Sequence, residues 1–234
     1  MIPIKTESAW QGTSDCRNCG IRETALFADL TEADFGLIHT PIDDLEYRPA
    51  SVLYQEGQTA VGIFTVRSGV VKLQRLTQDG RQRIVRILRP GDVAGLEALA
   101  AHRYDSEAVA LTQVSVCRIP LEVMHNLSTN SQHMHKQLMQ KWQRTLKEAD
   151  DWLAYLNFGT ASQRVAGLVL KMRQPTDPGV CTLFSRGDMG AMLDLKLETV
   201  SRELGKLLRA GVLAPADKAG RTYRIQKPEQ LLAR

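Results

Sequence analysis

The sequence predicts an α+β chain: an N-terminal antiparallel β-roll, one long helix, and a C-terminal winged helix-turn-helix. Three observations carry this reading. Short β-rich runs separated by turn residues fill the stretch from Leu45 to Ile119. A run without Pro or Gly extends from Ser131 to Leu156, with apolar residues at helical spacing. Finally, Ser185 to Leu208 reads as helix, tight turn, helix, and is followed by a strand, a basic turn and a strand.

Residues 1–15 are polar and read as a loose arm. Cys16-Arg17-Asn18-Cys19 follows, then a short helix over Ile21–Leu30. Thr31-Glu32-Ala33-Asp34 has the pattern of an N-cap with acidic residues in the first turn, opening a helix to about His39. The strands are expected at Ser51–Tyr54, Gly62–Val66, Val70–Leu76, Gln82–Leu88, Ala108–Leu111 and Val114–Ile119. Gly57, Gly69, Gly80 and Gly91 punctuate them, and Asp79-Gly80 is a hairpin-turn signal. Regular short strands of this kind build a small barrel or roll.

Helix returns after Pro120, first over Leu121–Leu127 and then over the long run. There Met134, Leu138, Trp142, Thr145, Ala149, Trp152 and Leu156 recur at spacings of 4, 4, 3, 4, 3 and 4. This near-heptad stripe predicts a seam for a partner helix, hence a homodimer. Phe158-Gly159-Thr160 marks a boundary. The expected segments are 1–120 for the roll with its N-terminal helices, 121–158 for the dimerisation helix, and 159–234 for the winged domain. In the last, Ala161–Met172 reads as a helix and Gln174–Gly179 as a loop. Gly211–Ala214 and Thr222–Ile225 are wing strands, and Pro228 opens a terminal helix.

Within the helix pair, Met189, Met192 and Leu193 give the first helix its apolar stripe. Val200, Leu204, Leu207 and Leu208 do the same for the second. The opposite face of the second helix carries Glu198, Ser201 and Arg202 near its N-terminus. Those groups suit a major groove. Arg grips guanine with two hydrogen bonds, Glu accepts from a cytosine amine, and Ser reaches a base or a phosphate. Lys218 and Arg221 on the wing turn suit phosphate. Charge distribution agrees: Gly159–Arg234 carries 13 Lys/Arg against 7 Asp/Glu, while the first 158 residues carry 17 against 19. A basic domain on a near-neutral one fits double-stranded DNA as partner, because phosphate contacts supply much of the affinity.

Other classes are excluded or weakened. No run of eighteen apolar residues exists, so no membrane span is expected. The N-terminus lacks an apolar signal core, so a cytoplasmic protein is expected. There is no Ser-His-Asp or Cys-His constellation, phosphate loop or carboxylate pair, and an enzyme is not expected. His133 and His135 are two apart on a helix and point away from each other. His39, His102 and His125 are scattered, so packing or surface roles are expected for all five. Four cysteines in a reducing compartment point away from disulfides and towards metal, redox or core roles.

Roll, long helix and winged helix-turn-helix in this order resemble the Crp/Fnr family of bacterial transcription regulators across essentially the whole chain. Arg89-Pro90-Gly91-Asp92-Val93-Ala94-Gly95 looks like the family's glycine-containing roll motif. Glu198-Thr199-Val200-Ser201-Arg202 looks like the E-x-x-S-R recognition helix of the Fnr branch. The resemblance implies a cyclic-nucleotide-binding-like roll, a homodimer, and RNA polymerase as a further partner. It implies that Arg202 grips guanine, Glu198 contacts the cytosine edge opposite, and Ser201 supports a thymine or phosphate. Where the cyclic-AMP branch has an Arg before the Glu, this chain has Leu197, which can meet a thymine methyl. An Fnr-like TTGAT-N4-ATCAA palindrome follows, its half-sites about one helical turn apart. Lys196 stands where a Ser or Thr cap is expected, and phosphate contact is the role left for it.

The resemblance leaves the effector open. The Gly-Glu and Arg-Ser of the cyclic-AMP branch correspond here to Gly95-Leu96 and Ser106-Glu107, so cyclic AMP is not expected unless Arg103 compensates. Cys16, Cys19 and Cys117 fall where oxygen-sensing Fnr proteins hold a [4Fe–4S] cluster, but the fourth cysteine position is Ala25. Asp15 and Asp29 are alternative oxygen donors, and Cys181 is a poor substitute. A cluster, a thiol or disulfide switch, and no cysteine sensing all remain open, as does a redox sensor acting mainly through protein partners. The acidic seam residue of the oxygen sensors aligns with Ala149, which implies a dimer that forms without a cofactor.

Overall fold

The computed structural model describes residues 26–218 and 220–232. Cys16, Cys19, Ala25 and the first half of the helix expected over Ile21–Leu30 lie outside the described residues, and 26–29 form a turn. The first helix, α1 (Glu32–Phe35), opens as expected. The Thr31 amide donates to the Asp34 carboxylate at 2.8 Å, and the Asp34 amide donates back to the Thr31 hydroxyl at 3.3 Å. This reciprocal pair satisfies two orphan helix-start donors.

Eight strands follow: β1 (Asp43–Tyr47), β2 (Val52–Tyr54), β3 (Gly62–Ser68), β4 (Val71–Leu76), β5 (Gln82–Leu88), β6 (Val93–Ala94), β7 (Glu107–Ala110) and β8 (Val114–Pro120). They form two four-stranded sheets, ordered β1-β8-β3-β6 and β2-β7-β4-β5. One core cluster contains Phe64, Val66, Val71, Leu73, Ala108 and Val116, drawn from both sheets. A second gathers Ile63, Val93 and Ile119 with Leu26, Phe35, Ile38 and residues of the following helices. Strand β3 therefore feeds both clusters and is buried from Gly62 to Val66. Covering a sheet on both faces replaces alternation with a continuous apolar run. The four punctuating glycines all take positive φ, from 76° to 92°. At Gly69 a Cβ would also stand 2.1 Å from the Gln113 carbonyl oxygen, so only glycine fits there.

Strands β1 and β6 were not expected. Strand β1, with its acidic Asp43, Asp44 and Glu46, lacks an apolar run; its ladder to β8 from Asp43↔Arg118 to Tyr47↔Val114 makes it a strand. Strand β6 is two residues long, too short for any period to show.

Helix α2 (Ala98–Ala101) precedes β7, and α3 (Leu121–Asn130) follows β8. The long helix α4 spans Gln132–Leu156. The C-terminal elements are α5 (Ala161–Lys171), β9 (Val180–Thr182), α6 (Arg186–Leu193), α7 (Leu197–Arg209), β10 (Leu213–Pro215), β11 (Thr222–Ile225) and α8 (Glu229–Leu232). Strand β9, also unexpected, is the third strand of the wing sheet, ordered β10-β11-β9.

Contacts divide the chain into two compact units. One comprises the chain through Leu76 with Val85–Thr145, the other Thr77–Ile84 with Leu146–Arg234. The division falls inside α4 because a single helix has no core of its own. Met134 and Leu138, at its N-terminal end, join the cluster beneath the roll. Trp152 and Leu156, at its C-terminal end, are buried within the single chain. There α4 and α5 approach closely, and a Cβ on Gly167 would lie 2.9 Å from the Tyr155 carbonyl oxygen. Met134, Leu138, Trp152 and Leu156, expected on the seam, are buried within the single chain. The exposed apolar stripe on α4 is Met139, Trp142, Leu146 and Leu153, with half-buried Ala149 between the last two. Its spacings of 3, 4, 3 and 4 keep the heptad but rotate it round the helix.

Candidate nucleic-acid interface

The winged unit begins with a fixed start to α5. The Thr160 hydroxyl accepts from the Gln163 amide, and the Gln163 side chain accepts from the Thr160 amide at 2.7 Å, a complete capping box. From α5, Arg164 donates to the Leu193 carbonyl oxygen at 2.9 Å, holding the C-terminal end of α6. Ser185 caps the other end by accepting from the Asp188 amide.

The turn between α6 and α7 is three residues, Asp194-Leu195-Lys196. Asp194 adopts a left-handed conformation with φ 54°, which short polar side chains tolerate. The Leu195 amide donates to the Gly190 carbonyl at 3.1 Å. A Cβ on Gly190 would stand 2.5 Å from the Leu195 carbonyl oxygen, so this glycine lets the turn fold back onto α6. Met189, Met192, Leu193, Val200, Leu204 and Leu207 are all buried, and Leu208 is half-buried. The apolar stripes expected of the two helices are therefore their packing faces.

Packing that face inward turns the other outward. Lys196, Leu197, Glu198, Ser201 and Arg202 are all exposed. Glu198, Ser201 and Arg202 stand at i, i+3 and i+4, which places them on one side of α7 within its first two turns. Lys196 makes no side-chain cap bond to α7. On the wing turn, Lys218 and Arg221 are exposed as well. That turn is shaped by Asp217, whose carboxylate accepts the Arg221 and Thr222 amides at 3.0 and 2.9 Å. A hydrogen bond from the Thr222 side chain, with the Arg221, Thr222 and Gly220 amides, holds the Asp217 carboxyl below its ordinary range.

One member of α7 was not singled out from the sequence. Glu203 lies among the buried residues of the helix, and its carboxylate accepts from Lys206 Nζ at 2.9 and 3.1 Å. The Lys206 bond holds its pKa down against a smaller opposing effect of burial. The i,i+3 spacing of Glu203 and Lys206 was the available signal.

In the roll, Gly95 takes φ 82° and lies against Tyr104, whose ring would be 2.9 Å from a Cβ there. Tyr104 stacks on Tyr54 with ring centroids 3.8 Å apart and donates to the Gly62 carbonyl at 2.7 Å. Leu96 and Ser106 are buried. Glu107 accepts from Gln74 Nε2 at 2.5 Å, and Arg103 donates to the Gly57 carbonyl at 2.7 Å. A carboxylate thus occupies the place of the expected hydroxyl, and the nearby guanidinium is already engaged.

Among the cysteines, Cys117 is half-buried on β8 and donates to Asp44 Oδ1 at 3.3 Å; Asp44 also pairs with Arg67. Cys181 is buried in β9, which pushes its thiol up to about 11. No group of three or more His, Cys, Asp or Glu is arranged for a metal ion among the described residues. Two of the histidines have local polar partners: His133 Nδ1 lies 3.1 Å from Asp34, and His125 Nε2 lies 3.3 Å from the Leu99 carbonyl.

The family model for a cyclic nucleotide-binding domain matches residues 44–131, and that for a Crp-like helix-turn-helix domain matches residues 163–234. The chain belongs to the Crp/Fnr family of transcription regulators. Its similarity to other Crp/Fnr proteins runs through both units. The Fumarate and nitrate reduction regulatory protein of Escherichia coli (strain K12) is 27% identical over 210 residues, 87% of this chain and 84% of that protein. The Anaerobic regulatory protein of Aggregatibacter actinomycetemcomitans is 26% identical over 210 residues, 87% of this chain and 82% of that protein. Among solved structures, FixK2 from Bradyrhizobium japonicum has a TM-score of 0.74 at 28% identity, covering 83% of this chain and 97% of FixK2. The protein is thus a DNA-binding Crp/Fnr regulator, and its relatives are regulators rather than enzymes. Among the described residues, no helix is long and apolar enough to cross a membrane.

Proposed function

We propose that this regulator binds as a homodimer to a TTGAT-N4-ATCAA palindrome. The observation that carries the reading is the single exposed face on α7 that holds Glu198, Ser201 and Arg202. Arg202 takes guanine O6 and N7, Glu198 accepts from the cytosine amine opposite, and Ser201 supports a thymine or phosphate. Leu197 meets a thymine methyl. Lys196, Lys218 and Arg221 contact phosphate and set the register without reading sequence. The second copy joins along the exposed α4 stripe. RNA polymerase is the downstream partner, and the compartment is the cytoplasm, where a bacterial regulator meets its promoters.

The roll unit senses the effector, and its packing against the long helices biases a two-state equilibrium. Its chemistry argues against a cyclic nucleotide. The cysteine donor set, Cys16, Cys19 and Cys117, is one thiolate short of the four that a [4Fe–4S] cluster takes. Anaerobic purification with an iron assay and a visible spectrum separates a cluster from a thiol switch; a colourless, iron-free preparation removes the cluster.

A gel shift with the palindrome tests the DNA reading. Arg202→Ala is expected to abolish the specific complex and leave weak, salt-sensitive binding. An unchanged specific complex contradicts the assignment.

A further inference from the structure

A buried carboxylate inside a recognition helix asks for an explanation. On α7 the inward positions are Val200, Glu203, Leu204 and Leu207. Packing alone is satisfied by an apolar side chain at the second of these, and burying a charge there costs stability unless it is paired. Glu203 is 5% exposed, and both of its oxygens face cations of the DNA-reading side. Lys206 Nζ lies 2.9 Å from Oε1 and 3.1 Å from Oε2. Arg202 Nε lies 3.5 Å from Oε1.

The atom used on Arg202 matters. A guanidinium reads guanine through two N–H groups aimed at O6 and N7. Contact through Nε leaves both terminal nitrogens free for that fork. Arg202 is otherwise largely solvent-exposed, with 60% of its side chain accessible, and an unrestrained arginine loses much rotamer freedom on docking. At 3.5 Å the contact is at the long limit of a hydrogen bond, so it acts as a directional electrostatic restraint. Because Lys206 shares the carboxylate, the brace is a three-residue unit: one buried anion orienting two cations on the exposed side.

We propose that Glu203 is a positioning residue for base readout, holding the Arg202 guanidinium by Nε so that its terminal fork is presented to guanine. The brace trades strength for selectivity. Its negative charge offsets part of the attraction of Arg202 and Lys206 for phosphate, while the restraint favours the one geometry that reads a base. This inference rests on the assignment of Arg202 as the guanine reader.

The test uses full-length protein and fluorescence anisotropy on two duplexes. One carries the TTGAT palindrome; in the other, adenine replaces the guanine of each half-site. For Glu203→Gln, which keeps the shape and removes the charge, the two effects run in opposite directions. Binding to the adenine duplex is expected to tighten about 2–5-fold, with a log K against log [salt] slope steeper by up to about 1. Preference for the guanine duplex is expected to fall about 3–10-fold. A merely structural role lowers both affinities together, and that result overturns the proposal, as does an unchanged guanine preference. If Glu203→Gln does not fold, the Nε–H resonance of Arg202 in wild-type protein, assigned with Arg202→Lys, decides. Protection from solvent exchange relative to other surface arginines supports the brace, and exchange like theirs overturns it. Arg202→Ala separates the two layers. If it keeps the guanine preference, the base-reader assignment fails and the brace with it. If it loses that preference while Glu203→Gln keeps it, the brace alone fails.

Discussion

Truncating Leu146 on the exposed face of α4 should separate dimerisation from folding. Leu146 is 65% exposed in the single chain. Fully burying a leucine contributes about 2 kcal/mol, so covering the exposed part is worth ~1.3 kcal/mol per copy. A two-fold interface uses the residue twice, which makes ~2.6 kcal/mol per dimer. At 1.4 kcal/mol per tenfold, Leu146→Ala weakens the dimer up to about 70-fold, less whatever the remaining Cβ retains. Leu138, two helical turns earlier, is the control. It is 6% exposed and belongs to the core beneath the roll. Leu138→Ala leaves a cavity and costs about 2–5 kcal/mol of folding stability. Sedimentation equilibrium at micromolar concentration, paired with thermal melts, reads both quantities. Leu146→Ala should shift mass towards monomer with little change in melting of the dilute protein; Leu138→Ala should do the reverse. Wild-type association of Leu146→Ala would refute the rotated seam. Dissociation of Leu138→Ala without loss of stability would restore the original stripe.

Two further predictions concern the winged unit. Gly190→Ala gains about 1 kcal/mol of helix propensity but drives a Cβ to 2.5 Å from the Leu195 carbonyl oxygen. Displacing backbone costs about 1–3 kcal/mol, so the clash wins and the melting temperature falls; a rise would show that the turn yields freely. Cys181 predicts a pH dependence. Burial raises its thiol to about 11, so the native state keeps a proton that the unfolded chain releases from about 9 upward. The unfolded state then binds fewer protons, and stability falls as pH rises between those values, by about 3 kcal/mol. Cys181→Ser or Cys181→Val should flatten that part of a urea-melt pH series, and an unchanged slope would contradict the assignment.

Architecture was legible in the sequence wherever a pattern ran long enough to have a period. The long helix, the helix pair and the strands of the roll follow apolar spacing that the structure uses directly. Strands β1, β6 and β9 escaped because pairing makes them strands: Asp43 and Asp44 stand opposite Arg118 and Cys117. Helix α4 shows a subtler limit. Its apolar residues cover more than one face, and spacing cannot say which face a neighbouring element of the same chain takes. Met134 and Leu138 belong to that internal face, whereas Leu146 and Leu153 do not. At the recognition helix, the outward residues were legible because the inward stripe was apolar. Glu203 was not, because a charged residue on the buried face contradicts the pattern that reveals the rest.

Under the proposed function, Glu198, Ser201 and Arg202, with Leu197 beside them, select an Fnr-type half-site. A binding array that sets TTGAT palindromes against TGTGA palindromes at fixed salt tests it most directly. TTGAT half-sites are expected to win, and Arg202→Ala is expected to erase the difference. A preference for TGTGA, or a TTGAT preference that survives Arg202→Ala, would contradict it.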